Sequence, residues 1–487
     1  MPVSAVSAFA VLGVQARLVE LVCRPSAGPP SIRLRGISPR AANRLGDDVR
    51  SALIAAGYNF PAKRIVIDPR PASGATTPQS VGLAAALGVL AATGQRDHAF
   101  GHEWAVHARL GPDGSIAPLP GTLAVAEAAA RAGVRLIVAR QNAAEAALVK
   151  GLCVAAVADL ASAVDVFFGD EAPPDPPSET PTPAPAEPPI LPVAHLWRND
   201  ALTLACAGSH SLLITGVTPE WWASPVGASV AGLLPDLTAE EEREIVRIQS
   251  IAGASTTLRP RRPVRIPHPR QPLAELLGGG KDLAPGEASL AHNGVLMLDR
   301  LTAFPRATLA AIRAAHEDRH VVVHRDGMTV RLPTRFLLVA AMASCPAGCG
   351  RDCTCPPSLV AEHRAKLAPL AGCFDIHVHA APVHRQRPWL SAAEMRAITA
   401  RIRGAHERQR ARRSAVPRGR AIGDAPDGRD LDVDPVVRKR AQALAQAAGQ
   451  GPGRILPLAR TFADVSMMDR VTLDCLYAAL AFVNPRW

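Results

Sequence analysis

Residues 212–224 read LLITGVTPEWWAS. Leu212 to Thr215 predict a strand buried on both faces, and Gly216 predicts a turn. A phosphate-binding loop begins this way and then continues G-x-x-x-x-G-K-[ST]. Its backbone N–H groups cradle phosphate, its lysine reaches the β- and γ-phosphates, and its hydroxyl holds Mg²⁺. Here the turn runs instead into Val217-Thr218-Pro219-Glu220-Trp221-Trp222. The lysine position falls on Trp222, or on Ala223 with one residue inserted, and the hydroxyl position on Ala223 or Ser224. No lysine stands between Lys150 and Lys281, so no slip of register supplies one.

Two more apolar runs follow, 295–298 (VLML) and 336–342 (FLLVAAM). Continuous runs of this kind fit strands of a parallel sheet covered on both faces. The first ends in Asp299, where a carboxylate can hold Mg²⁺ in the manner of a Walker B strand. Many buried strands end in Asp, so the order of the three runs says more than any one of them. A strand with a glycine turn, a strand with a terminal Asp and a strand ending VAAM form the layout of an AAA+ ATPase core.

Around this core the chain divides by composition. Residues 171–192, EAPPDPPSETPTPAPAEPPILP, are Pro-rich and acidic and predict an extended linker, set at 170–193. Before it, residues 1–169 alternate short strands and helices: a strand at Arg64–Ile67, a helix at Val81–Ala92, a turn at Gly111–Gly114, a helix at Thr122–Ala132 and a strand at Val134–Val138. After it, residues 194–384 hold the three apolar runs. Residues 385–487 predict a helical domain, with amphipathic stretches at Arg438–Ala448 and Thr472–Val483. The fold class is therefore α/β.

At 487 residues the length allows two to four domains, and 48% apolar residues can fill more than one core. The net charge of +11 admits a polyanion partner such as nucleic acid, although Arg-rich composition alone also produces it. No apolar run reaches the roughly 18 uncharged residues of a membrane span. The apolar start, MPVSAVSAFAVLGVQARLVELVC, lacks a basic leader and predicts a strand pair rather than a signal peptide. These features predict a cytoplasmic protein without a membrane partner.

Several stretches, taken in order, carry a resemblance: DDVRSALIAAGYNFPAKRIVI (47–67), GPDGSIAPLPG (111–121), PGEASLAHNGVLMLD (285–299), RFLLVAAM (335–342), CTCPPSLV (353–360) and LARTFADV (458–465). Through them the chain resembles the magnesium-chelatase-like AAA+ proteins known as ComM or YifB, over most of its length. The resemblance implies a Lon-protease-like N-terminal domain (related to the magnesium-chelatase subunit ChlI), an AAA+ core and a helical lid. It implies ATP and Mg²⁺ as cofactors, and a hexameric motor acting on branched DNA in natural transformation. It implies no working protease, so no Ser–Lys dyad is assigned.

The departures from the family pattern fall where ATP chemistry belongs. Trp222 or Ala223 replaces the phosphate lysine, leaving Gly216 and Asp299 as remnants of the nucleotide and Mg²⁺ site. The Walker B glutamate, which polarises the attacking water, is Arg300, and a guanidinium cannot act as that base. The water-orienting Asn after VAAM is Ala343. The family's LLDRID appears as LAGCFD, so its Arg aligns with Cys373, and a C-terminal sensing Arg aligns near Gln450. Removing one such group commonly costs about 10²–10⁵ in rate. The combined losses predict a pseudo-ATPase that serves as a scaffold, a DNA-binding protein or a non-catalytic partner of an active AAA+ subunit. The alternative is an active branch-migration ATPase with an unconventional phosphate site.

Two further constellations stand apart. CPAGCGRDCTC places Cys345, Cys349, Cys353 and Cys355 within eleven residues, which suits a tetrahedral Zn²⁺ site. Redox-active thiols and a cluster without a ligand remain open. His363, His377 and His379 are candidate substitutes for one thiol, although FDIHVH also reads as a plain strand. Arginines form the second constellation. Residues 259–270 contain five, among them Arg261, Arg262 and Arg265, and residues 401–420 contain eight, among them Arg410, Arg412 and Arg413. Such clusters can bind phosphate backbones. The competing reading of 401–420 is a solvated connector between helices.

Overall fold

The computed structural model describes residues 4–71, 77–96, 103–169, 200–216, 223–253, 258, 260–280, 283–325, 328–349, 353–379, 390–414, 433–447 and 455–483. Of the Pro-rich segment 171–192 nothing is described, and the linker reading lies outside these residues.

The start of the chain forms the expected strand pair, β1 (Ser4–Leu12) and β2 (Gln15–Ser26), joined antiparallel. With β3 (Ser31–Leu34), β4 (Arg64–Arg70), β5 (Trp104–His107), β6 (Arg135–Ala139) and β7 (Val154–Val157) they make a mixed seven-stranded sheet in the order β3-β4-β2-β1-β5-β6-β7. Helices α1 (Pro39–Ala55), α2 (Pro78–Thr93) and α4 (Leu160–Phe168) share the core on one face, and α3 (Thr122–Ala132) packs on the other. Val81 to Ala92 of α2 are buried on every side, so this helix is apolar all round rather than amphipathic. The 111–114 turn joins the short strands Arg109–Leu110 and Ile116–Ala117 as expected.

The second sheet carries the apolar runs. It holds β8 (Leu212–Thr215), β9 (Val264–Arg265), β10 (Val295–Leu298), β13 (Leu337–Met342) and β14 (Ile376–His379). A hairpin of β11 (His320–Arg325) and β12 (Met328–Pro333) stands between β10 and β13 in the chain. The five sheet strands are parallel in the order β9-β10-β13-β8-β14. The chain thus leaves β8, next to one edge, starts again at the far edge and returns. That crossing sets the carboxyl ends of β8, β10 and β13 side by side, where an open α/β sheet forms its ligand crevice.

Helices α6 (Ala223–Leu233) and α5 (Ala201–Gly208) share one core with the sheet and with the C-terminal helices α10 (Ala392–Ser414), α11 (Pro435–Ala447), α12 (Ile455–Val465) and α13 (Leu473–Val483). The other face is covered by α8 (Arg306–Asp318). Helix α7 (Ala239–Ile251) meets the N-terminal unit. There the Gly121 N–H donates to Ser250 Oγ at 2.8 Å, and Arg247 pairs with Glu127 at 2.8 Å.

One expectation is corrected. Residues 401–414 are not a solvated connector but the second half of α10. Its buried stripe of Ile398, Ile402 and Ala405 packs into the core, and apolar burial along one stripe outweighs the surrounding charge. Residues 415–420 lie outside the described residues. No helix among the described residues is long and apolar enough to cross a membrane.

Candidate functional site

The carboxyl edge of the parallel sheet is built from the ends of three strands. After β8, Gly216 adopts φ 80°, and its N–H donates to the Met342 carbonyl at 3.0 Å, tying β8 to the last residue of β13. Val217 to Trp222 lie outside the described residues, and α6 opens at Ala223. The structure therefore keeps a strand, a glycine turn and a helix in sequence. After β10, Asp299 is partly buried and its Oδ1 accepts the Arg300 backbone N–H at 2.8 Å. Arg300 is exposed and held at φ 51°, a left-handed conformation that L-residues other than Asn and Asp seldom take. After β13 stands Ala343, half-buried, with its carbonyl accepting from His363 Nε2 at 3.0 Å. Cys373 is buried in the short turn Ala371–Cys373 ahead of β14. Gln450 lies outside the described residues.

Chemically this edge offers one carboxylate and no described base beside it. A neutral methyl at Ala343 and a permanently charged guanidinium at Arg300 neither orient nor deprotonate water.

Two residues beyond Ala343 the cysteine cluster begins. The four Sγ atoms of Cys345, Cys349, Cys353 and Cys355 lie within 4.8 Å of one another. Cys349 Sγ and Cys355 Sγ are 3.7 Å apart. A tetrahedral zinc with Zn–S of about 2.3 Å places its sulfurs about 3.8 Å apart, so the cluster has the size of an ion's ligand shell. Burial alone would raise the Cys345 thiol, but the Cys349 N–H and the neighbouring thiols draw it down to about 7. Cys355 goes the other way: the Ala347 backbone lowers it, but burial and the other thiols outweigh that and push it up to about 12. A thiolate is thus more easily formed at Cys345 and less easily at Cys355, unless a cation neutralises it.

None of the three histidines joins this group. His363, of helix α9 (Pro357–Ala365), spends Nε2 on the Ala343 carbonyl. His377 and His379 alternate along β14, where the His379 Nδ1 lies 3.3 Å from Thr215 Oγ1 and the His377 ring stands edge-on to Phe374.

Comparison with known proteins accounts for this layout. Family models described as "Magnesium chelatase, subunit ChlI" and "Subunit ChlI of Mg-chelatase" match residues 195–387 and 21–142. YifB of Salmonella typhimurium, an uncharacterized protein, is 32% identical over 99% of this chain and 97% of its own length. The chain belongs to the magnesium-chelatase-like YifB/ComM family. Escherichia coli YifB is 30% identical and the competence protein ComM of Haemophilus influenzae 29%, each across 99% of this chain and 97% of its own. The YifB/ComM frame of mixed α/β domain and AAA+ core is thus present, and Arg300, Ala343 and Cys373 sit on it.

The arginine clusters sort differently from their reading as nucleic-acid contacts. Arg262 is buried. Its Nε donates to the Pro235 carbonyl and its NH1 to the Asn293 carbonyl, each at 2.7 Å. Burial draws its pKa down to about 10 despite the nearby Glu241 and Asp236. Arg265 forms a two-point pair with Glu287 at 2.5 and 2.7 Å. Arg412 pairs with the buried Asp464. Arg262 holds the fold, because it is buried and donates to internal carbonyls, and the phosphate assignment is corrected for it; Arg265 and Arg412 are paired internally and remain partly exposed. Arg261 and Arg410 are exposed, Arg410 lying 3.8 Å from an exposed Asp236, and the side chain of Arg413 lies outside the described residues. The sequence reading left out Arg396 and took in Arg403 only as one of the eight arginines of 401–420. Both are exposed on α10, and with Arg410 they recur every seventh residue, which places all three along one face. That spacing becomes visible only once 401–414 is known to be helical.

Proposed function

We propose that this YifB/ComM-type protein works as a scaffold or as a DNA- or partner-binding protein in DNA processing, without ATP turnover. The observation that carries this reading is the carboxyl edge itself. Strand order, glycine turn and Asp299 are kept, while Arg300 and Ala343 stand where water would be activated. One relative is named a competence protein, which favours DNA processing as the setting. The row Arg396, Arg403 and Arg410 is the surface proposed to meet a phosphate backbone. In this reading the chain does without ATP and Mg²⁺, holds zinc on Cys345, Cys349, Cys353 and Cys355, and acts in the cytoplasm. It does so beside copies of itself or an active AAA+ subunit, through an N-terminal domain 1–169, a linker 170–193, a core 194–384 and a helical domain 385–487.

The test is an equilibrium titration with a fluorescent ATP analogue and Mg²⁺, followed by a turnover assay. No binding at millimolar nucleotide is expected. The competing reading, an active motor, draws on the retained Asp299. Submicromolar binding, with turnover above about 0.1 s⁻¹ abolished by Asp299→Ala, would establish it instead; ordinary enzymes run near 10 s⁻¹.

A further inference from the structure

We propose that zinc on the four cysteines is the ligand that orders the carboxyl edge of the AAA+ sheet in this chain, in the place of nucleotide. This rests on the zinc reading above and adds what the ion does. Three observations carry it.

The first is where the cluster is attached. Cys345 lies three residues beyond the end of β13 and two beyond Ala343, and Cys355 directly precedes Pro356, the cap of α9. An ion holding both ends fixes the strand end relative to the helix. The second is the return contact. From α9 the His363 ring reaches back to the Ala343 carbonyl at 3.0 Å, closing a ring of zinc, Cys345, Ala343, His363 and Cys355. The same strand end accepts the Gly216 N–H at the Met342 carbonyl, so the ring is rigidly joined to the turn after β8. The third is what else holds the loop. Among its described residues, 344–349 and 353–356, only Cys345 is buried. Apolar packing therefore anchors this segment at one point. The remaining order is local: the Gly348 N–H donating to the Cys345 carbonyl at 3.1 Å, the Cys349 N–H donating to Cys345 Sγ at 3.2 Å, and the 3.7 Å approach of Cys349 and Cys355. A segment with so little core of its own is the kind that a structural metal folds. The sulfurs converge as four ligands of one ion, with the exposed Cys353 closing the shell from the solvent side.

The experiment uses the full chain, purified without chelator. Zinc is counted by elemental analysis, with one ion per chain expected. Amide hydrogen exchange is then followed with the ion in place and after its removal by a chelator. Removal should speed exchange at Gly216, at 343–349 and along α9 by about tenfold or more, and leave β1 to β7 unchanged. Cys353→Ser should reproduce the effect, and Cys153→Ser, an exposed cysteine outside the cluster, should not. A chain that neither carries nor takes up zinc would end the zinc reading and this inference together. Zinc bound with exchange unchanged on its removal would leave the zinc reading standing and overturn the ordering role. So would recovery of protection in the stripped protein on adding Mg²⁺-ATP, because nucleotide would then order the edge.

Discussion

The strand Val295–Leu298 has two ends that differ in almost every respect. At its amino end, Glu244 of α7 gathers His292 Nε2 at 3.1 Å, Asn293 Nδ2 at 2.8 Å and an Arg335 NH2 at 3.1 Å on one carboxylate oxygen. The Arg335 backbone N–H donates to His292 Nδ1, which leaves the proton of the neutral ring on Nε2, facing Glu244. Arg262 closes the set through the Asn293 carbonyl. At the carboxyl end, Asp299 accepts its neighbour's N–H and Arg300 stands exposed. The end that builds the sheet has satisfied polar groups. The end that faces a ligand crevice carries Asp299 and an exposed Arg300, and in the reading proposed above it lacks the groups that act on water. An unpaired buried polar group costs stability wherever it occurs, whereas a missing base at an exposed edge costs only rate. A fold can therefore outlast its chemistry.

Removing Arg262 should have the largest effect. Arg262→Ala leaves the Pro235 and Asn293 carbonyls without their donor and Glu241 without its cation, in a site where the arginine side chain is 4% exposed. Breaking a buried arrangement of this kind costs about 3–5 kcal/mol. Urea unfolding should show the core transition moving to lower denaturant by that amount. A loss under about 1 kcal/mol would show that the amino-end network is dispensable and would remove the contrast between the ends.

Acid should attack the same end more gently. Burial alone would raise the Glu244 carboxyl. The hydrogen bonds from His292 and Asn293 and the charge of Arg335 overrule it and hold it at about 2, against an ordinary 4.5. A depressed carboxylate stabilises the fold above its unfolded value and loses that contribution as pH falls through the folded one. The window is thus pH 4.5 down to about 2. The loss across it should be about 1–2 kcal/mol once solvent screening of a partly exposed group is allowed for. Glu244→Gln should be less stable at pH 7 and should flatten this part of the stability-versus-pH curve. An unchanged slope would mean that the network does not hold the carboxylate ionised.

These contrasts were legible in the sequence to different degrees. Leu212–Thr215 and Val295–Leu298 could be read as strands because every residue is apolar apart from the final Thr215, and a strand covered on both faces needs no alternation. The two-residue strand Val264–Arg265 carries no such pattern. Arg300 and Ala343 could be singled out because a motif states which residue type is expected at each position. The arginines misled, because charge density looks alike whether donors face solvent or carbonyls. Only the tertiary fold brings Pro235 and Asn293 to Arg262. In α10 the Ile398, Ile402 and Ala405 spacing was the available signal, and the charge around it masked it.

The smallest effect is expected from changing Arg300 itself. Arg300→Ala removes an exposed side chain and relaxes nothing in the backbone, so stability should stay within about 0.5 kcal/mol. Arg300→Glu combined with Ala343→Asn places a carboxylate and an amide able to act on water at the two positions. Turnover should still stay below about 0.1 s⁻¹, because no lysine between Lys150 and Lys281 can reach the phosphates and transition-state charge stays unmatched. A phosphate-release assay with Mg²⁺-ATP decides the matter. Turnover appearing in the double variant would mean that the phosphate site works without its lysine, and that the two ends of the strand differ by two substitutions rather than by a loss of the whole nucleotide site.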